Sequence, residues 1–91
     1  MEFEWDPEKA ESNERKHGLS FDVAVWVFGD VNRIERIDQD SSEEEVRWAT
    51  TGLIDGTEVH VVYTVRGEVV RLITARRANR YEREEYWNRK V

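Results

Sequence analysis

The hydrophobic and polar positions divide the chain into a helical first third and a strand-rich remainder. Residues 2–5 alternate acidic and apolar side chains, which is the period of a short strand. Between residues 20 and 29, apolar residues recur at i, i+3, i+4 and i+7, which predicts a helix with one buried stripe. The stripe consists of Phe21, Ala24, Val25 and Phe28. Four later runs rich in β-branched and aliphatic side chains predict strands. These runs are residues 31–38, 46–54, 58–65 and 69–76.

Capping residues predict where the two amino-terminal helices begin and end. Asp6 is an N-cap, Pro7 stands at the first helical position, and Gly18 follows the last one, so the first helix spans Pro7–His17. Ser20 caps the second helix, and Gly29 ends it. Both helices therefore lie between the short first strand and the four later strands.

Turn residues organise the second half of the chain. Asp55-Gly56 is a strong hairpin signal and Arg66-Gly67 a second one, which predicts an antiparallel meander of three strands. An acidic loop at residues 39–44 precedes this meander. The predicted order is β-α-α-β-β-β-β-α, an α+β fold in a single domain of residues 1–91. Its small, mostly antiparallel sheet carries two N-terminal helices and one C-terminal helix.

The last strand and the last helix bring charged side chains together. Asn79 and Glu82 form the capping pattern that begins the final helix. Strict alternation along the strand places Arg71 and Arg76 on opposite faces of the sheet. Arg71 then shares its face with Val69, Ile73 and Ala75, and Arg76 shares the other with Val70, Leu72 and Thr74. A guanidinium in an apolar strand requires an anion, because it cannot lose its proton.

Two features of the amino-terminal helices have alternative explanations. The first helix has almost no apolar face, so Asn13 either bonds to backbone groups or lines a polar cleft. Trp26 lies off the stripe of the second helix, either as a partly buried boundary residue or as a contact for a partner.

Composition excludes several classes of protein and site. The 91 residues include no cysteine, which excludes disulfides, thiolate nucleophiles and cysteine-based zinc sites. The two histidines have no metal-ligand spacing, and no phosphate-binding loop or dinucleotide motif is present, so we expect no metal and no cofactor. No apolar run has the length of a membrane span, and the acidic start is unlike a secretory signal. These features predict a soluble cytoplasmic protein.

Charge is distributed unevenly along the chain. The formal net charge is −6, yet residues 66–91 carry eight basic and four acidic groups. The basic groups therefore concentrate where the last strand meets the last helix, as expected of a nucleic-acid contact. Solvated helical pairs such as Arg80 with Glu84 explain the same pattern equally well.

The remaining chemistry is that of positive and proton-carrying side chains. This set suits cleavage of RNA, whose own 2′-hydroxyl is the nucleophile, because the protein then needs only to orient the phosphate, neutralise charge and move protons. The set comprises Lys9, Lys16, His17, Arg71, Arg76, Arg77, Glu82 and Tyr86.

Two segments carry a resemblance to a known family. They are residues 3–21, FEWDPEKAESNERKHGLSF, and residues 71–86, RLITARRANRYEREEY. Between them lie an Arg-Trp pair at Arg47 and a glycine, Gly52, before the hairpin. Together, in this order, these motifs resemble the BrnT family of toxins from bacterial type II toxin–antitoxin systems.

The resemblance implies a RelE-like fold and a metal-independent ribonuclease that inhibits translation. It also implies a BrnA-type antitoxin, contact with operator DNA only through that antitoxin, and a toxin–antitoxin hetero-oligomer. The catalytic residues carried over are Lys16, His17, Arg71, Arg76, Glu82 and Tyr86. The arginines are expected on the scissile phosphate, His17 or Glu82 as proton carrier, and Lys16 as electrostatic support. RNA-binding residues are expected at Lys9, Arg77, Arg80 and Arg83.

Each of these roles has a structural alternative. In these alternatives, Arg71 only pairs with an acid such as Glu58 or Glu82, and Glu82 serves mainly as a capping residue. His17 would then satisfy the last carbonyls of its helix. Tyr86 is a core aromatic with its hydroxyl at the rim. For the whole chain, the alternatives are a catalytically weak toxin that acts as antitoxin-binding co-repressor, or a purely structural domain.

Overall fold

The computed structural model describes residues 1–39, 41 and 44–89, so the predicted acidic loop and Lys90 lie partly or wholly outside the described residues. The elements follow the predicted order. They are β1 (Glu2–Glu4), α1 (Pro7–His17), α2 (Phe21–Ala24), a 3₁₀ helix (Val25–Gly29), β2 (Ile34–Ile37), β3 (Trp48–Ile54), β4 (Thr57–Arg66), β5 (Val69–Arg77) and α3 (Arg80–Asn88).

The strands form one sheet in the order β1-β5-β4-β3-β2. β1 is parallel to β5, and the other described pairs are antiparallel, which confirms the predicted α+β fold with its meander. Asp55 and Gly56 both have positive φ angles, as a tight hairpin turn requires. The second turn lies at residues 67–68, one residue later than predicted, because Gly67 is the residue that adopts a positive φ. The RelE-like classification and the single domain of residues 1–91 stay predictions.

The two faces of the sheet have different partners. On one face, which we call the helix face, Val59, Val61 and Tyr63 of β4 join the buried core with Phe21 and Ala24 of α2. On the other, the α3 face, the first turn of α3 contacts the sheet. Side chains of β4 alternate between these faces, so its even-numbered residues 58, 60, 62 and 64 belong to the α3 face.

The second predicted helix changes its period halfway. It is α-helical only at Phe21–Ala24 and continues as a 3₁₀ helix. A 3₁₀ helix has three residues per turn, so Val27 rather than Phe28 continues the buried line, with Val27 fully buried and Phe28 only partly. Trp26 is 70% exposed, so the alternative of a partly buried boundary residue is wrong, and the alternative of a partner contact stays a prediction.

Asn13 connects α1 to the sheet. β1 pairs with β5 only at Val69–Arg71, so the outer edge of β5 is open at Ala75. The Asn13 side chain fills this edge: its Nδ2 donates to the Ala75 carbonyl at 2.7 Å, and its Oδ1 accepts from the Ala75 N–H at 3.0 Å. Nδ2 also donates to the Leu19 carbonyl. The backbone-bonded alternative for Asn13 is therefore confirmed.

A β-bulge in β5 changes which side chains share a face. Val62 pairs with Thr74 and Tyr63 with Leu72, so Ile73 is an extra residue. After the bulge the alternation is reversed, and Arg71 and Arg76 pair with Thr64 and His60, which lie on the same face of β4. The prediction that the two arginines lie on opposite faces is wrong, because it assumed an unbroken strand.

Candidate active site

Glu82 stands at the start of α3, where the helix meets the sheet. Its Oε1 accepts from the backbone N–H of Asn79 at 2.8 Å, and its own N–H donates to Asn79 Oδ1 at 2.8 Å. This is the predicted capping box. It holds the Glu82 carboxylate against the α3 face of the sheet.

Arg76 forms a two-point ion pair with this carboxylate. Its Nη1 and Nη2 donate to Glu82 Oε1 and Oε2 at 2.8 and 2.9 Å. Burial alone would raise the pKa of Glu82, but hydrogen bonds from Arg76 and Asn79 outweigh it and leave that pKa lowered. The same pairing raises the pKa of Arg76. Both groups are therefore charged at neutral pH, and Glu82 acts both as cap and as anion.

His60 lies between these groups and β3. Its Nδ1 is 3.0 Å from Thr51 Oγ1 and 3.3 Å from Glu82 Oε2. Burial lowers the pKa of His60, Glu82 acts to raise it, and Arg76 lowers it further, with a net decrease below the usual 6.5. At neutral pH the imidazole is therefore uncharged, although a carboxylate touches it.

Sequence reasoning missed His60 because it searched the histidines only for metal-ligand spacing. A usable signal exists in the hairpin. The turn at Asp55-Gly56 sets the register, which places Thr51 opposite His60, and β5 then places Arg76 on the other side. The hairpin register does not predict that the Glu82 side chain extends from α3 to contact His60.

A cavity of about 270 Å³ opens beside this cluster, between α3 and strands β2 and β3. His60 and Glu82 form one side of it, so the reactive groups border a space that a ligand can enter. The other residues that line it are Ile34, Arg36, Gln39, Ala49, Thr51, Tyr81 and Glu85.

Arg71 lies on the α3 face of the sheet, as Arg76 does, but it pairs with a different acid. Its Nη1 donates to Glu4 Oε2 at 2.6 Å, across the parallel pair of β1 and β5. Arg71 therefore has the anion that the sequence required, but Glu4 supplies it instead of the expected Glu58 or Glu82. In the sheet, Arg71 lies opposite Thr64, which is four residues from His60 along β4, a distance of roughly 13 Å.

Lys16 and His17 lie at the other side of the sheet. Both are exposed at the end of α1, and His17 borders a separate cavity of about 250 Å³ that Arg77 also lines. Among the described residues, no hydrogen bond joins the His17 side chain to the last carbonyls of α1; the Gly18 N–H bonds to the Glu14 carbonyl instead. The structure thus brings His17 and Arg77 together, away from Arg76 and Glu82.

Tyr86 has the core position that the structural alternative predicted. It is 5% exposed, and its hydroxyl donates to Asp30 Oδ2 at 2.5 Å. The same oxygen accepts from the Leu53 N–H at 2.9 Å, so Asp30 joins α3 to β3. Burial and the bond to Asp30 raise the pKa of Tyr86.

The predicted RNA-binding residues are dispersed. Lys9 is exposed on α1, and Arg77 lies on the helix face. Arg80 pairs with Glu84 at 3.0 Å in the predicted solvated helical pair, and Arg83 donates to the Ala78 carbonyl at 2.8 Å. They do not form one continuous basic surface with Arg76.

The described part of the chain has neither the side-chain grouping of a metal site nor a helix that could cross a membrane. No group of three or more His, Asp or Glu side chains there has the arrangement of a metal site. No helix there has both the length and the apolar composition needed to cross a membrane.

Comparison with known proteins places the chain in a family. Residues 5–82 match the family model described as the ribonuclease toxin, BrnT, of type II toxin–antitoxin systems. No curated protein matches the chain. The match contains every element from α1 to β5 and ends at Glu82, within the first turn of α3. The chain therefore belongs to the BrnT family of ribonuclease toxins.

Proposed function

We propose that this toxin is a metal-independent endoribonuclease whose reaction centre consists of His60, Arg76 and Glu82. The observation that carries the proposal is that one ionised carboxylate, on Glu82, contacts both a cationic arginine and a neutral histidine at the edge of an open cavity. RNA brings its own nucleophile, so a proton carrier and a fixed positive charge are the groups that the protein must supply.

His60 is the proposed general base. The Glu82 carboxylate can only accept hydrogen bonds, so it favours the tautomer of His60 with the proton on Nδ1. Nε2 then carries the free electron pair. It can remove the proton from the 2′-hydroxyl, whose oxygen attacks the adjacent phosphorus, and the imidazolium that results is stabilised by Glu82. The bond from phosphorus to the 5′-oxygen breaks, and this oxygen takes a proton from water, which leaves a 2′,3′-cyclic phosphate and a 5′-hydroxyl end.

Arg76 is the proposed partner of the scissile phosphate. Its guanidinium has five donor N–H groups. The pair with Glu82 uses two of them, and the Arg77 carbonyl accepts from a third at 3.2 Å, so two remain for phosphate oxygens. Arg71 lies on the same face about 13 Å away. We assign it to the RNA backbone beyond the cleaved bond, together with the exposed Arg80 and Arg83.

The assignment of Lys16, His17 and Tyr86 as catalytic stays a prediction that competes with this centre. Lys16 and His17 would act with Arg77, and with Lys9 on the same helix, on the other side of the sheet. Tyr86 would first have to release Asp30.

The proposal extends to the cellular role. RNA cleavage in the cytoplasm stops translation, and a BrnA-type antitoxin binds the toxin in a hetero-oligomer that contacts operator DNA through the antitoxin. Membership of a type II toxin–antitoxin family supports this role.

The test compares His60→Gln and His17→Gln with the wild type on a labelled single-stranded RNA, with EDTA present. We expect His60→Gln to lower kcat about 100- to 10,000-fold and Arg76→Gln about 100- to 1,000-fold, while His17→Gln stays within a few-fold of the wild type. Circular dichroism and thermal unfolding check that each variant is folded. Loss of activity in His17→Gln, with His60→Gln active, would move the centre to the helix face.

A second function has one observation in its favour. Both strand arginines already hold carboxylates, Arg71 on Glu4 and Arg76 on Glu82, as expected of a catalytically weak toxin that serves as antitoxin-binding co-repressor. Expression without an antitoxin distinguishes the two. Growth arrest with RNA loss, relieved by Arg76→Ala, supports the nuclease; normal growth with abundant folded protein supports the co-repressor.

A further inference from the structure

Tyr81 is an exposed aromatic residue beside the proposed reaction centre. It is the second residue of α3 and directly precedes Glu82, which places it over the cavity that His60 and Glu82 border. Its side chain is 72% exposed, so the fold does not use the ring for packing. An aromatic ring at the entrance of a small cavity is a surface on which a flat ligand group can stack.

The cavity has walls of two kinds. Apolar groups come from Tyr81, from the half-buried Ile34 and from Ala49, which is 8% exposed. Polar groups come from Gln39, Thr51 and the charged side chains. A nucleobase has the complementary form, with two apolar faces and a polar edge. At about 270 Å³ the cavity is just below the roughly 300 Å³ at which pockets for drug-sized ligands begin, so it suits a single base.

Charge decides which part of a nucleotide this cavity accepts. Two carboxylates line it, from Glu82 and Glu85, against one guanidinium from Arg36, and Arg36 is already paired with Glu85. Glu82 is likewise paired with Arg76, so the described lining offers a phosphate no guanidinium without a carboxylate partner. A neutral base requires none, and the phosphate can stay outside at Arg76, which does not line the cavity.

We propose that Tyr81 stacks on an unpaired RNA base next to the cleaved phosphodiester and that the cavity between α3 and β3 receives this base. A base in a duplex is already paired and stacked, so the substrate class is single-stranded RNA. The inference rests on the proposed function, since it assumes that the scissile phosphate binds at His60 and Arg76.

The first experiment separates stacking from general contact with RNA. Wild-type protein is used to map a cleavage position, and binding is then measured to the same RNA with a single 2′-deoxy substitution that prevents the reaction. We expect Tyr81→Ala to weaken binding about 5- to 150-fold, because removing one stacked base contact has an effect of that size. Tyr81→Phe keeps the ring and should bind like the wild type, whereas Tyr81→Leu should resemble the alanine variant.

In cleavage assays the loss should appear in KM. Stacking that is equal in the bound substrate and the transition state changes KM and leaves kcat within about twofold. Trp26→Ala is the matched control, because Trp26 is exposed to a similar extent, 70%, but lies on a 3₁₀ helix that packs on the helix face. It should change neither constant.

An abasic series tests the contact directly. The 2′-deoxy RNA is prepared with one base missing at each position flanking the cleavage site. At one position, the missing base should weaken wild-type binding as much as Tyr81→Ala does, and combining both changes should add little more.

The outcomes of these experiments are distinct. Unchanged binding by Tyr81→Ala, or fully additive effects at every abasic position, overturns the role of Tyr81 while leaving the ribonuclease intact. Folded wild type that neither binds nor cleaves RNA overturns the proposed function and this inference together.

Discussion

Among single residues, His60 has the property that most directly controls the proposed reaction. Burial removes water from the imidazole and lowers its pKa, while the Glu82 carboxylate partly offsets this effect. The net result is a histidine that is neutral near pH 7 and already oriented by an anion. That is the state that a general base needs before the reaction begins.

The pH dependence of cleavage follows from this pKa. Protonated His60 cannot accept a proton, so kcat/KM should fall as pH decreases through a value below 6.5 and should be level around neutral pH. Cleavage rates between about pH 5 and 8, with NMR titration of His60, provide the check. An acidic limb centred well above 6.5, or one that persists in His60→Gln, would contradict the assignment.

The same shift has a consequence for stability. His60 binds its proton more weakly in the folded state than in the unfolded state, so the free energy of unfolding should decrease as pH falls through 6.5. Folding favours the neutral form of His60 but the charged form of Glu82. Because the pKa of Glu82 is lowered on folding, its contribution to the free energy of unfolding is present above pH 4.5 and is lost at lower pH. The two residues therefore destabilise the fold in successive acidic ranges.

Among the elements, β5 and the 3₁₀ helix decide how the site is assembled. The bulge at Ile73 turns Arg71 and Arg76 to one face, and α3 then supplies Glu82 to that face. On the other side, the 3₁₀ helix packs closely on β3. A Cβ atom on Gly52 would lie 2.9 Å from Val27 Cγ2 and 3.0 Å from Arg33 Cβ. Asp30 Oδ2 lies at the same close approach, where it accepts from the Leu53 N–H and from the Tyr86 hydroxyl of α3.

Gly52→Ala should therefore destabilise the protein by about 1–3 kcal/mol, because the added methyl group overpacks the contact between β3 and the 3₁₀ helix. Urea unfolding measures the change. Gly29→Ala is the control, since nothing lies within 4 Å of its Cβ position and its φ is not positive, so its effect should stay within about 0.5 kcal/mol. Equal effects of the two substitutions would show that close packing at Gly52 is not the cause.

Over the whole molecule, ion pairs reduce the basic charge that is open to RNA. The chain has a net charge of −6, and five of its arginines on or near the α3 face hold carboxylates. Their pairs are Arg36 with Glu85, Arg66 with Glu45, Arg71 with Glu4, Arg76 with Glu82 and Arg80 with Glu84. Affinity should thus depend on a few local contacts, with little contribution from a broad positive surface.

The salt dependence of RNA binding tests this view. Each phosphate contact on a single strand contributes a slope of about −0.7 to log K against log salt, so the four arginines assigned to phosphates predict a slope no steeper than about −2.8. Arg71→Gln should reduce it by about 0.7 if Arg71 binds a second phosphate, whereas Arg15→Gln, on the exposed side of α1, should not change it. Anisotropy with 2′-deoxy-substituted RNA measures both, and a slope steeper than about −3 would indicate an extended basic track.

Local signals in the sequence were sufficient for the elements. The bounds of α1, the hairpin at Asp55-Gly56 and the capping box of α3 all depend on residues within a few positions of one another. Such signals act through backbone φ angles and orphan N–H groups, which need no distant partner. For this reason the sequence predicted the order of elements, the α+β class and the charged junction after β5. Its motifs also indicated the correct family.

Contacts between distant residues were decided only by the tertiary structure. Asn13 bonds to Ala75, Glu4 neutralises Arg71, Asp30 holds Tyr86, and Glu82 reaches His60. The bulge at Ile73 has no turn residue to mark it, and only the register between β4 and β5 shows it. The sequence by itself determined which elements form and which charged groups lie near the junction. The fold decided which charges neutralise one another and which histidine borders the cavity, because burial and pairing depend on neighbours that are close only in space.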